Sequence, residues 1–309
     1  MNNAVLQAFV KEAIEIEDAR GNVSGMVART IGTLNPNTLI GGAMLAPTGF
    51  IRHLKGLDPE QAKALAEAAE GDYGDRVSTT KVRVGGGNLV DDIKRSVTRK
   101  DLYLPEKALG VLTAGVAGIT APLGRADHYN PYADTVQSYS GDPGVLAHEL
   151  GHAADINSYK GGAGAAYRGG RALVGIGSGV AASLLGAPKE VVKAVRGVAV
   201  QPLTLLMEAQ ATRNALKGTA LKKELAKQYG AKSIEDGEDQ TRNILLPAYG
   251  SYVGGAIGSA AALHAIRSGA KVPGAAKLAP LIGIAGGHVA GRTYNAMKRR
   301  RAAKARAAE

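Results

Sequence analysis

The sequence predicts a mainly helical α+β fold. Apolar residues recur at helical spacing in several separate segments, and one short stretch alternates as a strand does. Glycine or another small residue falls at every fourth position in three further segments. A helix with such a row carries a flat groove on one face, where a second backbone can approach closely.

The elements follow in order. Val5, Leu6, Phe9, Val10, Ala13 and Ile14 give residues 3–19 the period of an amphipathic helix ending near Gly21. Residues 30–51 hold Pro36, Asn37, Gly41, Gly42, Pro47 and Gly49, a punctuation that predicts buried loop and short helix. Asp58 caps a charged helix from Pro59 to Glu70, and Thr79 to Val84 reads as a strand before a turn at Gly85, Gly86 and Gly87. Those glycines lack the Lys and Ser/Thr of a phosphate loop. Residues 111–116 and 134–140 are the other expected strands, completing a small sheet with residues 80–84. The glycine ladders are Gly175, Gly179 and Ser183; Gly250, Gly254, Gly258 and Ala262; and Gly283, Gly287 and Gly291. Residues 243–266 alone among the uncharged stretches reach the roughly 20 residues of a bilayer span, but Pro247, Tyr249, Tyr252 and several Ser and Gly interrupt them.

Composition narrows the chemistry. The 309 residues contain no cysteine, which excludes a disulfide framework, a thiolate metal site and a thiol nucleophile, so any metal must be held by His and carboxylates. Two Phe and no Trp favour close backbone packing over a bulky core. The formal net charge of +11 owes much to Lys298, Arg299, Arg300, Arg301, Lys304 and Arg306, so the excess reads as a basic tail. An anionic membrane surface suits such a tail. Nucleic acid suits it poorly, because no aromatic residues interleave with the terminal cations. The acidic N-terminal helix fits neither a secretory signal nor a transit peptide, giving the expectation of a cytoplasmic chain or part of a larger assembly.

Residues 145–156 read Val-Leu-Ala-His-Glu-Leu-Gly-His-Ala-Ala-Asp-Ile, an HExxH pattern in an apolar helix that begins after Asp142, Pro143 and Gly144. His148 and His152 lie one turn apart, so both imidazoles reach one tetrahedral ion, expected to be Zn2+. Glu149 beside them is the candidate general base for a metal-activated water. A catalytic zinc takes three protein ligands. Ser158 stands where a longer HExxHxxGxxH pattern has its third histidine and Asp155 where it has glycine, so the third ligand comes from elsewhere. Glu208 interrupts the apolar run of a helix over residues 202–216, and coordination is one reason for a carboxylate there. An ion pair with Arg213 or a lysine is the other. Asp155, one turn beyond His152, is the candidate for orienting a histidine ligand. Tyr159, Tyr167, Tyr249 and His264 are open alternatives for an oxyanion donor.

The HExxH helix followed by a second helix with a glutamate and small residues after it resembles the gluzincin class of zinc metallopeptidases. The run Asp-His-Tyr-Asn-Pro-Tyr-Ala-Asp-Thr-Val-Gln-Ser-Tyr-Ser over 127–140, then His-Glu-Leu-Gly-His-Ala-Ala-Asp, is similar to uncharacterised bacterial and phage proteins of metallopeptidase type. The resemblance covers about residues 127–158 and 203–215 and implies a zincin-like core. It implies that the strand before the motif helix, Thr135, Val136, Gln137, Ser138 and Tyr139, is the sheet edge that binds a peptide substrate by strand addition. It departs from the gluzincin pattern at Thr212, where many members carry an orienting acid, and in the 56-residue spacing from His152 to Glu208.

Three regions are therefore expected: an N-terminal helical region over 1–100, a metallopeptidase core over 101–240, and a glycine-ladder helical hairpin with a basic tail over 241–309. The leading function is a zinc endopeptidase with a peptide or protein substrate. The alternative is a structural or membrane-interacting assembly protein, in the manner of a virion component, that retains a metal site and forms homo- or hetero-oligomers through its ladders.

Overall fold

The computed structural model describes residues 57–85, 88–120, 127–139, 141–268 and, with gaps, 283–300. The expected helix over 3–19, the stretch over 30–51, Gly86, Gly87 and most of the basic tail lie outside the described residues. The described chain is mostly helical with one small mixed sheet.

Helix α1 spans Pro59–Tyr73 and starts on the expected cap: Asp58 accepts from Glu60 N–H at 2.9 Å, and Gln61 reaches back to Asp58 N–H in a capping box. Strand β1, Lys81–Val84, follows a single 3-10 turn. Helices α2 (Leu89–Thr98) and α3 (Leu104–Thr120) pack on each other and carry the chain back to the sheet. Residues 111–116, expected as a strand, are the interior of α3. A short apolar run suits a buried strand and a buried helix alike. Gly110 lies against α2, where a methyl group would stand 2.7 Å from Ser96 Cβ.

The third strand is instead β2, His128–Asn130, and β3 spans Thr135–Ser138. The order is β1-β3-β2, with β3 parallel to β1 (Lys81 opposite Thr135) and antiparallel to β2 (His128 opposite Gln137). Every residue of β3 is buried.

Helix α4, Pro143–Ile156, carries the HExxH pattern and is buried along nearly its whole length. Asp142 caps it by accepting from Gly144 N–H at 2.8 Å, and Pro143 fills the first turn, where no amide partner is needed. Five helices follow: α5 (Gly161–Leu184), α6 (Lys189–Ala199), α7 (Gln201–Lys217), α8 (Thr219–Tyr229) and α9 (Ile234–Arg267). Residues 286–297 are again helical. One apolar cluster runs from Leu57 to Leu245 and joins α1, β3, α4, α7, α8 and α9, with Leu65, Leu146, Leu150, Leu221 and Leu225 at its centre. It draws side chains from all three expected regions. Among the described residues no helix is long and apolar enough to cross a membrane.

The glycine ladders are used within the chain. A methyl group on Gly254 would lie 1.8 Å from the Gly283 carbonyl oxygen, and one on Gly287 would lie 1.9 Å from that of Gly250. Two backbones therefore touch along this pair of rows. The row on α5 faces α6, where Arg196 crosses over Gly179.

Gly286 has open space where a methyl group would go. Gly287→Ala should lower stability in urea titration by about 1–3 kcal/mol through overpacking against backbone. Gly286→Ala should be neutral or stabilise by up to about 1 kcal/mol through helix propensity. Equal effects at the two positions would contradict the backbone contact.

Candidate metal centre

Helix α4 sets His148 and His152 with ring centroids 4.7 Å apart and planes at 85°. Helix α7 brings Glu208 to them: its Oε2 lies 3.1 Å from His148 Nε2 and 3.5 Å from His152 Nε2. Ligands at about 2.0–2.1 Å from a tetrahedral ion stand roughly 3.3 Å from one another. The three donor atoms all fall within 4.8 Å of each other in a buried position, so this group could hold a metal ion.

The local sequence explains the approach of the two helices. Gly151, inside the motif, has no side chain to hold them apart; a methyl group there would lie 2.4 Å from the Ala211 carbonyl oxygen and 3.2 Å from its Cα. Asn214 Nδ2 donates to the Gly151 carbonyl at 3.0 Å, which satisfies a backbone acceptor at the crossing. Ala211 and Ala215 complete the flat face of α7.

Environment drives the two site carboxyls in opposite directions. Burial pushes Glu149 up to about 8; the nearby negative charges of Glu208 and Asp127 add to the rise, while His148 and the Tyr129 backbone N–H oppose it. For Glu208 burial also acts upward, but the charges and hydrogen bonds of His152 and His148 outweigh it and hold the group well below the usual carboxylate range. The fold thus favours the protonated form of Glu149 and the charged form of Glu208, the separation expected of an acid/base group beside a metal ligand.

The expected ligand residues His148, His152 and Glu208 are brought together, and Glu149 lies beside them. Asp155 does not orient a histidine by hydrogen bonding: its carboxylate accepts from Tyr167 Oη at 2.5 Å, because α5 packs a tyrosine onto it. The hydrogen-bond partner of a site histidine is Thr212, whose Oγ1 lies 3.3 Å from His148 Nδ1.

The substrate-edge expectation for Thr135–Tyr139 requires correction. β3 is the middle strand, covered on one side by β1 and on the other by β2, so its backbone offers no free edge. Its side chains are also engaged: Thr135 Oγ1 and Gln137 Nε2 donate to Asp92, Tyr139 Oη donates to Gln137, Val136 is fully buried, and Ser138 Oγ donates to Asp127. Among the described residues the outer positions belong to β1 and to β2, His128–Asn130, the latter a segment too short to register as a strand in the sequence.

Two further residues belong to this neighbourhood. Tyr129 places its backbone N–H on Glu149 and donates its hydroxyl to Asp134 at 2.9 Å. Tyr252 of α9 sits within electrostatic reach of both Glu208 and Glu149; burial foremost, then these two charges, raises its phenol well above the ordinary value. Of the oxyanion candidates, Tyr159 and Tyr167 stack on each other at 4.5 Å, Tyr249 lines a cavity with Leu246, Gly287 and Tyr294, and His264 is exposed. The signal for Tyr252 was positional: it falls midway between Gly250 and Gly254, hence on the helix face opposite the ladder.

Comparison of the chain with protein-family models, curated proteins and solved structures finds no match.

Gly151→Ala should separate the two helices, costing stability by about 1–3 kcal/mol and weakening metal uptake, read together by thermal melting and metal analysis. Uptake equal to wild type would contradict the crossing. Glu149 supplies a pH test. An unfolded glutamate titrates near ~4.3, whereas this one does so at about 8 in the fold. Between those values the folded state holds the extra proton, so the contribution to stability is present at low pH and lost as pH rises through that window. In chelator-stripped protein, Glu149→Gln should remove a decline on the order of a few kcal/mol between about pH 5 and 8; parallel pH–stability curves for variant and wild type would refute this.

Proposed function

We propose that the chain is a zinc-dependent peptidase that hydrolyses peptide bonds, with His148, His152 and Glu208 as the ligands of the ion and Glu149 as general base. The observation that carries this reading is the convergence of three donor atoms within 4.8 Å of one another, Glu208 Oε2 standing 3.1 and 3.5 Å from the two imidazoles, beside the buried Glu149. Two imidazoles and one carboxylate are a donor set suited to zinc, and three protein ligands leave one position open for chemistry.

A bound zinc supplies Lewis-acid activation of water and of the substrate carbonyl. The chain's own groups do the rest. Glu149 accepts the proton that the attacking water gives up and returns it to the leaving amine, a cycle that suits a carboxyl raised toward neutrality. Tyr252 donates its phenolic hydrogen toward the carbonyl oxygen as negative charge develops there. The Tyr129 amide fixes Glu149 against the sheet.

The assembly reading rests on the glycine ladders together with the basic tail, most of which lies outside the described residues. Two of the ladders pack against each other and the third against α6, so intrachain packing accounts for rows that would otherwise seek a membrane or a second chain. That favours the enzymatic reading.

Purified protein should carry one zinc per chain and cleave unstructured peptides from a mixed library. Glu149→Gln should keep the zinc and lower the cleavage rate by about 10²–10⁴-fold, and Tyr252→Phe should lower it by about 10²–10³-fold. Cleavage by Glu149→Gln at the wild-type rate would refute the assignment of the base.

A further inference from the structure

Both ring nitrogens of His148 are engaged by α7. Nε2 faces Glu208 Oε2 at 3.1 Å and Nδ1 faces Thr212 Oγ1 at 3.3 Å. Glu208 and Thr212 stand four residues apart, one above the other on the same helix face. This face is pressed against α4 by the Gly151–Ala211 contact. Thr212 is itself buried, at 9% exposure.

A hydroxyl at this point differs from a carboxylate in one decisive property. A carboxylate only accepts, whereas a hydroxyl donates or accepts. Neutral imidazole carries its proton on one nitrogen at a time. With no ion bound, Nε2–H of His148 donates to Glu208 while Nδ1 accepts from the Thr212 O–H. With an ion bound, Nε2 gives its lone pair to the ion, and Nδ1–H donates to Thr212 Oγ1. Nε2 releases one proton to solvent and Nδ1 takes one up, so His148 itself gains and loses nothing overall. Every buried polar group of this pair keeps a partner in both states. A carboxylate at position 212 would instead hold the proton on Nδ1 permanently and would add a further negative charge beside Glu208.

We infer that Thr212 is a positioning residue that sets the His148 tautomer, and that its hydroxyl makes the metal centre exchangeable, with both ring nitrogens of His148 partnered in the loaded and in the empty arrangement. This rests on the metal-ligand reading of His148, His152 and Glu208. The chemistry concerned is that of a divalent cation of zinc type, taken up and released without an orphaned histidine in the core.

The test uses the full chain with zinc alone as the probe. Affinity is read by chelator competition, and the protonated ring nitrogen of His148 by nitrogen-15 NMR near pH 8 with and without zinc. Thr212→Val, which keeps the shape and removes the hydroxyl, should bind zinc about 10–100-fold more weakly. Thr212→Ser, which restores the hydroxyl, should lie within about 3-fold of wild type, well inside the loss expected when an outer hydrogen bond is removed. In wild type the ring proton should move from Nε2 to Nδ1 on zinc binding. Should Thr212→Val fail to fold, the wild-type tautomer measurement decides without it. Equal zinc affinity in all three proteins, or a proton on Nδ1 in both states, overturns the inference while leaving the ligand assignment standing. A wild-type chain that takes up no zinc overturns both.

Discussion

The structure depends on how closely α4 and α7 approach. Their backbones touch where Gly151 meets the Ala211 carbonyl, and no side chain larger than hydrogen fits at that point. From this contact follow the position of Thr212 on His148 and the reach of Glu208 to both histidines, which lower its proton affinity while burial raises that of Glu149. A wider crossing would leave two histidines on one helix and a carboxylate on another, each hydrated and none of them a site. The apolar cluster centred on Leu146 and Leu150 holds α4 in place from its other side.

A second polar junction holds the sheet against the end of the same helix. Asp134 adopts a left-handed backbone, φ 52°, which costs a non-glycine residue free energy and is recovered through its carboxylate. That group accepts from Thr79 at 2.6 Å, Thr80 at 2.8 Å, Tyr129 at 2.9 Å and Asn157 at 3.1 Å. The loop before β1, the middle of β2 and the residue closing α4 are thereby tied to one point. Because Tyr129 also presents its amide to Glu149, the junction fixes the sheet relative to that carboxyl. The buried Asp92, which receives Arg83, Thr135 and Gln137, anchors the neighbouring strands in the same way.

Much of the centre was legible in the sequence because its residues violate the pattern around them. His148, Glu149 and His152 interrupt an apolar helix at one-turn spacing, and Glu208 breaks an apolar run that gives it no exposed face. The residues that were not legible follow the rules of their surroundings. Thr212 stands out only as a departure from the gluzincin pattern; a threonine is ordinary on a helix and acquires its contact only when α7 meets α4. Tyr252 looks like a packing residue in a glycine-rich segment, and its nearness to Glu208 exists only in the tertiary fold. The strand at 128–130 is three residues long and lies beside Pro131, so period-2 alternation has no length in which to show. The exchange of a strand for helix over 111–116 has the same root: an apolar run without charges fixes burial and leaves the period undetermined.

The most direct test of the account is X-ray absorption spectroscopy at the zinc edge on protein purified with its metal. The account requires four-coordinate zinc with two imidazole nitrogens and oxygen neighbours, all at about 2.0–2.1 Å, and loss of one oxygen neighbour in Glu208→Ala. A six-coordinate oxygen shell without imidazole scattering, or a spectrum unchanged by Glu208→Ala, would contradict the assignment of His148, His152 and Glu208 as one metal centre.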